Sequence, residues 1–178
     1  TITSIISSTA NGSYKSGDVI AIRINFSEVI TMTGTMGINL DSGGVCVISG
    51  FTGTTTTGAY TVLAGHASTD LTATSVVVNL TARDAALNNL VTTLPVTNIA
   101  TGSDIIIDTT APTITSITSS TVNGSYKAGD IVAIRINFSE VITLTGTMGI
   151  NLDSGGVCVI SGFTGTTATG TYTVLTGH

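Results

Sequence analysis

Few residues in this chain could do chemistry. Among 178 residues there are ten Asp or Glu, five Lys or Arg, two His and two Cys. His66 and His178 each end an Ala/Thr-Gly-His triplet, with no Cys, Asp or second His at metal-ligand spacing. Neither carries the Ser and Asp partners of a nucleophilic triad, so both read as loop residues at strand ends. Cys46 and Cys158 stand 112 positions apart. A disulfide needs Cα atoms within about 7 Å, so each is expected as a buried thiol, Cys46 beside Val45 and Val47. A bridge to another chain in a fibre is the alternative. That leaves the oxygen donors. Glu28, Asp84, Asn88, Asp108 and Glu140 are of the type that calcium gathers in sets of about 6 to 8. Asp18, Asp130, Asp41 and Asp153 lie next to Gly or Ser-Gly-Gly and read as turn residues bonding local backbone N–H groups. Tyr14-Lys15 and Tyr126-Lys127 are read as covering an end of the fold.

Such an inventory argues against an enzyme and for a structural or binding protein. The net charge of −5 and the absence of any basic patch exclude nucleic acid as a partner. No apolar run reaches the ~18 residues of a membrane span, so no membrane insertion is expected. No leader-like segment is present, and the sequence reads as a mature or internal stretch. Charged residues make up 8%, against about 25% in ordinary domains. Thr (36), Ser (18) and Gly (21) dominate instead. These are poor helix formers, while Thr, Val and Ile suit strands. Hydrophobic residues at 42%, regularly spaced, argue against disorder.

A repeat sets the organisation. Residues 1–66 align with 113–178 without a gap and differ at nine positions, mostly mildly, as in Val19 against Ile131 and Met32 against Leu144. A period of 112 is too long for a solenoid coil and suits a string of domains. The expected organisation is a complete domain over 1–108, a short stiff linker over 109–112 ending in Pro112, and the first part of a second, incomplete domain over 113–178. Residues 113–178 alone are not expected to close a sandwich. The missing strands would come from further chain or from another molecule.

Within the repeat only strands are predicted. Val19–Ser27 alternates, with Ile20, Ile22, Ile24 and Phe26 inward and Ala21, Arg23 and Asn25 outward. Ile38, Leu40 and Val62 are also expected inward. Further strands are expected at Ile2–Ser7, Val29–Thr33, Met36–Leu40, Val45–Ser49, Gly58–Leu63, Ser75–Thr81, Leu90–Leu94 and Asp104–Asp108. Turns are expected at Asn11-Gly12-Ser13, Ser16-Gly17-Asp18 and Asp41-Ser42-Gly43-Gly44. Strands at this spacing point to an all-β fold of β-sandwich type.

Several motifs in order carry a resemblance. They are Gly17-Asp18-Val19-Ile20, Asn25-Phe26-Ser27-Glu28, Thr33-Gly34-Thr35, Tyr60-Thr61-Val62, Arg83-Asp84-Ala85-Ala86-Leu87-Asn88-Asn89 and Ile107-Asp108-Thr109-Thr110-Ala111-Pro112. Together they resemble the immunoglobulin-like, cadherin-like tandem repeat of large bacterial surface proteins and adhesins, over the whole 112-residue unit. Two departures stand out: Leu87 occupies a position usually held by Gly, and Thr54–Thr57 are consecutive. The resemblance implies tandem immunoglobulin-like β-sandwich domains joined by short linkers, extracellular and often stiffened by calcium at domain junctions. In that topology Glu28, Asp84 and Asn88 lie at one end of a domain and Asp108 at the other, beside Glu140 of the next.

The expected function is therefore a non-enzymatic repeat of an extracellular stalk, surface fibre or adhesin shaft. Its partners would be neighbouring repeats of the same chain and, since low charge lets chains pack side by side, other copies in a filament. A glycan- or host-surface-binding module would need exposed aromatics, of which few are free. An accessory domain of a secreted hydrolase would need a catalytic neighbour. The Thr31-Thr33-Thr35 run reads as a solvent-facing strand rather than an ice-binding ladder. Asn11-Gly12-Ser13, Asn25-Phe26-Ser27 and Asn79-Leu80-Thr81 match the glycosylation pattern and would matter only in a glycosylating host.

Overall fold

A computed structural model describes residues 1–177; the expectation for His178 lies outside them. The chain divides into two units, Thr1–Thr110 and a second beginning at Ala111. Both are built from strands, and the described residues contain no helix long and apolar enough to cross a membrane.

The first unit holds β1 (Ile2–Ser7), β2 (Gly12–Tyr14), β3 (Val19–Leu40), β4 (Val45–Thr61), β5 (Ala67–Ser68), β6 (Ala73–Arg83), a single 310 turn at Ile99–Thr101 and β7 (Ile105–Asp108). β3 is its spine. Three predicted strands are here one strand of 22 residues. Its even-numbered apolar side chains, from Ile20 and Ile22 through Ile30 and Met36 to Leu40, are all buried in one core. The strand bends without breaking, because extra residues are absorbed as register shifts between Asn25 and Ile30 and between Met32 and Thr35. Gly34 takes φ +83° within the second shift, a conformation that glycine adopts without steric penalty.

β4 pairs with β3 along its whole length and fills one edge. Two predicted strands merge in it through the Thr-rich stretch, where Thr55, Thr56 and Thr57 pair with Asn25, Ile24 and Arg23. β-branched threonines fit a half-exposed strand well. The other edge of β3 is shared: β1 pairs along Ile22–Phe26 and β6 along Thr31–Leu40.

Two expectations need correction. Asn11-Gly12-Ser13 is no simple turn, because Gly12–Tyr14 is a strand paired in parallel with Ile105–Ile107 of β7, which pairs in turn with β5. Leu90–Leu94 is not a strand. Pro95 follows it and lacks the N–H a ladder needs, and the segment passes over the core as irregular chain with Leu90 and Leu94 packed on its surface. Asn98 then anchors the chain. Its side chain accepts from the N–H groups of Ala73 and Ile99 and donates to the Ala73 carbonyl. Ile99 is fully buried, and Thr97 receives the Ile5 N–H in its carbonyl at 3.0 Å.

The second unit contains β8 (Ile114–Ser119), β9 (Ile131–Asn151) and β10 (Val157–Thr173) in the order β10-β9-β8. It reproduces the registers of the first: Ile117 faces Ile136 as Ile5 faces Ile24, and Cys158 faces Ile150 as Cys46 faces Ile38. Its buried residues form two small clusters, one around Cys158 and Tyr172 and one around Ile136 and Ile160.

Candidate functional site

A polar cluster lies where the turn after β3 meets the end of β4. Asp41 leaves β3 and is held on both oxygens: Oδ2 accepts from the Ser68 hydroxyl at 2.8 Å and Oδ1 from the Thr72 N–H at 3.0 Å. Tyr60 alternates inward with Val62, so its hydroxyl is carried into the core and must find partners there. It finds two. The Ser42 Oγ lies 3.0 Å from Tyr60 Oη, and His66 Nδ1 lies 2.8 Å from it on the other side. The Leu63 N–H donates to the same Nδ1 at 3.2 Å, so this nitrogen is an acceptor and Tyr60 donates to it. Tyr60 then accepts from Ser42. The His66 and Tyr60 rings stack at 5.7 Å and 22°.

This cluster was missed in the sequence because its members sit 18 and 6 positions apart. The available signal was the inward phase of Tyr60, which obliges a buried hydroxyl to be satisfied. Ser, Tyr and His could suggest a nucleophile and its base, but Ser42 is only 5% exposed and gives a substrate no approach. Desolvation raises the Tyr60 pKa; the Ser42 hydrogen bond opposes this and the Asp41 charge adds to it. Tyr60 is therefore a neutral donor, and the arrangement closes the end of the unit. Gly44 completes it, since a Cβ there would run into the Tyr60 ring. Thr109, expected in the linker, belongs to the same end: its Oγ1 accepts from the Gly65 N–H and donates to the His66 carbonyl, both at 3.0 Å. In the second unit the Ser154 hydroxyl donates to Tyr172 at 3.4 Å.

The acids expected to bind calcium are distributed as follows. Glu28 is exposed in the bend of β3. Asp84 and Asn88 follow β6, whose last residue Arg83 pairs with Thr31, so all three share one end of the first unit. Asp108 ends β7 opposite Ala67, at the Asp41 end. The ten strand steps from Ala73 to Arg83 separate these ends by about 33 Å. Both Asp84 oxygens are engaged by Asn88, Oδ1 accepting its N–H and Oδ2 its side-chain amide, each at 2.8 Å. The Asn88 amide and N–H together hold the Asp84 carboxyl below the usual carboxylate range. Glu140 lies in β9 of the second unit, and its Oε1 is buried without a hydrogen-bond partner. Among the described residues no three His, Cys, Asp or Glu side chains converge as a metal ion would require.

The thiols are buried and unpaired. Burial pushes Cys46 up to about 11 and raises Cys158 as well. Leu87 adopts φ +69°, the left-handed region that favours glycine. This is the position where the resemblance had called for Gly. No family model matches the chain, and no curated protein matches it.

Proposed function

We propose that this protein is a non-enzymatic structural repeat of a long extracellular stalk, surface fibre or adhesin shaft, built of tandem immunoglobulin-like β-sandwich domains. The supporting observation is the repetition itself. Sequences 112 residues apart build the same strand framework, β1-β3-β4 and β8-β9-β10, in the same register. The polar cluster at the Asp41 end serves closure: Ser42, Tyr60 and His66 satisfy one another, and Asp41 is held by Ser68 and the Thr72 N–H. A repeat of this kind contributes reach and mechanical resistance. Pulling one chain of several repeats by its ends is expected to give a series of unfolding events, each releasing a contour length of about 112 residues at roughly 3.3–3.6 Å per residue. Labelling of intact cells with an antibody to the repeat is expected to stain their surface. Staining only after permeabilisation would overturn the extracellular reading.

Calcium stiffening at domain ends, by Glu28, Asp84, Asn88, Asp108 and Glu140, is a separable part of this proposal. EDTA is expected to lower the melting temperature of a multi-repeat chain, and calcium to restore it. An unchanged melting temperature would leave these residues as loop and turn groups.

A further inference from the structure

The two units provide an internal comparison, since the same residues meet different surroundings. In the first, the edge of β3 from Thr31 to Leu40 is covered by β6. In the second, the equivalent residues of β9 pair with β10 alone among the described residues. In the first, Ile2 and Ile5 of β1 are 6% and 0% exposed, beneath the chain at Thr97 and Ile99. Their counterparts Ile114 and Ile117 are 54% and 49% exposed. Gly12–Tyr14 is a strand against β7, whereas the identical Gly124–Tyr126 is irregular. Three separate deficits trace to one stretch, residues 73–108, which the second unit lacks within these 178 residues.

We infer that the β8-β9-β10 sheet is an acceptor for a further polypeptide segment with the sequence of residues 73–108. The segment lays its β6 part antiparallel along Thr143–Leu152 and its 90–108 part over Ile114 and Ile117. The first unit shows the complement directly, down to the pairs: Val78 against Met36, hence Met148, and Val76 against Ile38, hence Ile150. The acceptor residues are retained, with Gly146, Met148, Ile150 and Leu152 all unchanged from Gly34, Met36, Ile38 and Leu40. Gly146 also keeps the left-handed φ of Gly34, +92° against +83°, so the edge is already bent to receive the strand. The 73–108 segment seen here is already engaged along β3 of its own unit, so the segment that completes the second sheet is a further one.

The test uses the full 178-residue chain and a synthetic peptide of residues 67–110. Amide exchange is read on 143–152, which Leu144 distinguishes from 31–40 with its Met32. The peptide is expected to slow the open-edge amides by about tenfold or more and to bury Ile114 and Ile117. A peptide carrying V76D and V78D, or one of scrambled order, is expected to do neither. The same segment fused after residue 178 gives a second route that does not rely on peptide solubility. No protection by either route, or equal protection by the scrambled peptide, would overturn the inference. So would concentration-dependent self-association that protects the edge without any peptide, which would assign the surface to a second copy.

Discussion

Leu87 pays a conformational penalty that its side chain does not recover. It is 71% exposed, so it buries little, yet its φ of +69° costs an L-residue about 1–2 kcal/mol. Glycine accepts this conformation, at an entropic cost of about 0.5–1 kcal/mol. Leu87→Gly is therefore expected to stabilise the first unit by about 0.5–1 kcal/mol, read as a higher urea midpoint with an unchanged slope; a lower midpoint would show that Leu87 makes a contact worth more than the strain. Tyr60 presents the opposite case. Tyr60→Phe removes the hydroxyl between Ser42 and His66 and leaves a buried serine short of a partner, at a cost of about 1–3 kcal/mol. Adding Ser42→Ala to that variant is expected to recover part of the loss, since removing both partners is cheaper than removing one. Strictly additive losses would mean that the two hydroxyls do not depend on each other.

The elements show which features local sequence decides and which it does not. The alternation in β3 was legible because one face is buried along the whole strand: Ile20, Ile22, Ile24, Phe26, Ile38 and Leu40 lie in the core, as does Val62 beyond β4. Glu28 and Gly34 looked like interruptions, yet the pairing of β3 with β4 continues past both as register shifts. β2 was not legible at all. Asn-Gly-Ser-Tyr-Lys occurs twice, as a strand where β7 lies beside it and as irregular chain where it does not. No reading of those five residues alone could separate the two outcomes. The end cluster was half legible: Tyr60 had to point inward, but Ser42 and His66 reach it only through the turns that follow β3 and β4. The same contrast predicts dynamics. Thr143–Leu152 and Thr31–Leu40 are nearly identical in sequence, but among the described residues only the latter has strands on both edges. In the chain alone, open-edge amides of 143–152 are expected to exchange faster than their counterparts in 31–40. Equal protection would mean that β10 by itself holds the second spine as firmly as two neighbours hold the first.

At the scale of the whole molecule, the two thiols are built-in probes of how firmly each unit is closed. Only a thiolate attacks an alkylating reagent. With Cys46 near 11, about one thiol in a thousand is ionised at pH 8, and the side chain is fully buried besides. Cys158 is also buried and its pKa is also raised. What differs is the surrounding core. Cys46 lies in a single continuous cluster that includes Ile5, Leu71, Ile99 and Ile105, whereas Cys158 shares its cluster with three other buried side chains. Opening the second unit therefore exposes less apolar surface and costs less free energy. In rising urea, Cys158 is expected to be alkylated at lower concentration than Cys46, and both are expected to react at the same rate once unfolded. Mass spectrometry separates the two sites, because the tryptic peptide of Cys46 begins after Arg23 and carries Met32, whereas that of Cys158 begins after Arg135 and carries Leu144. Simultaneous labelling at one urea concentration would show that the units open together and that the smaller cores of the second do not weaken it.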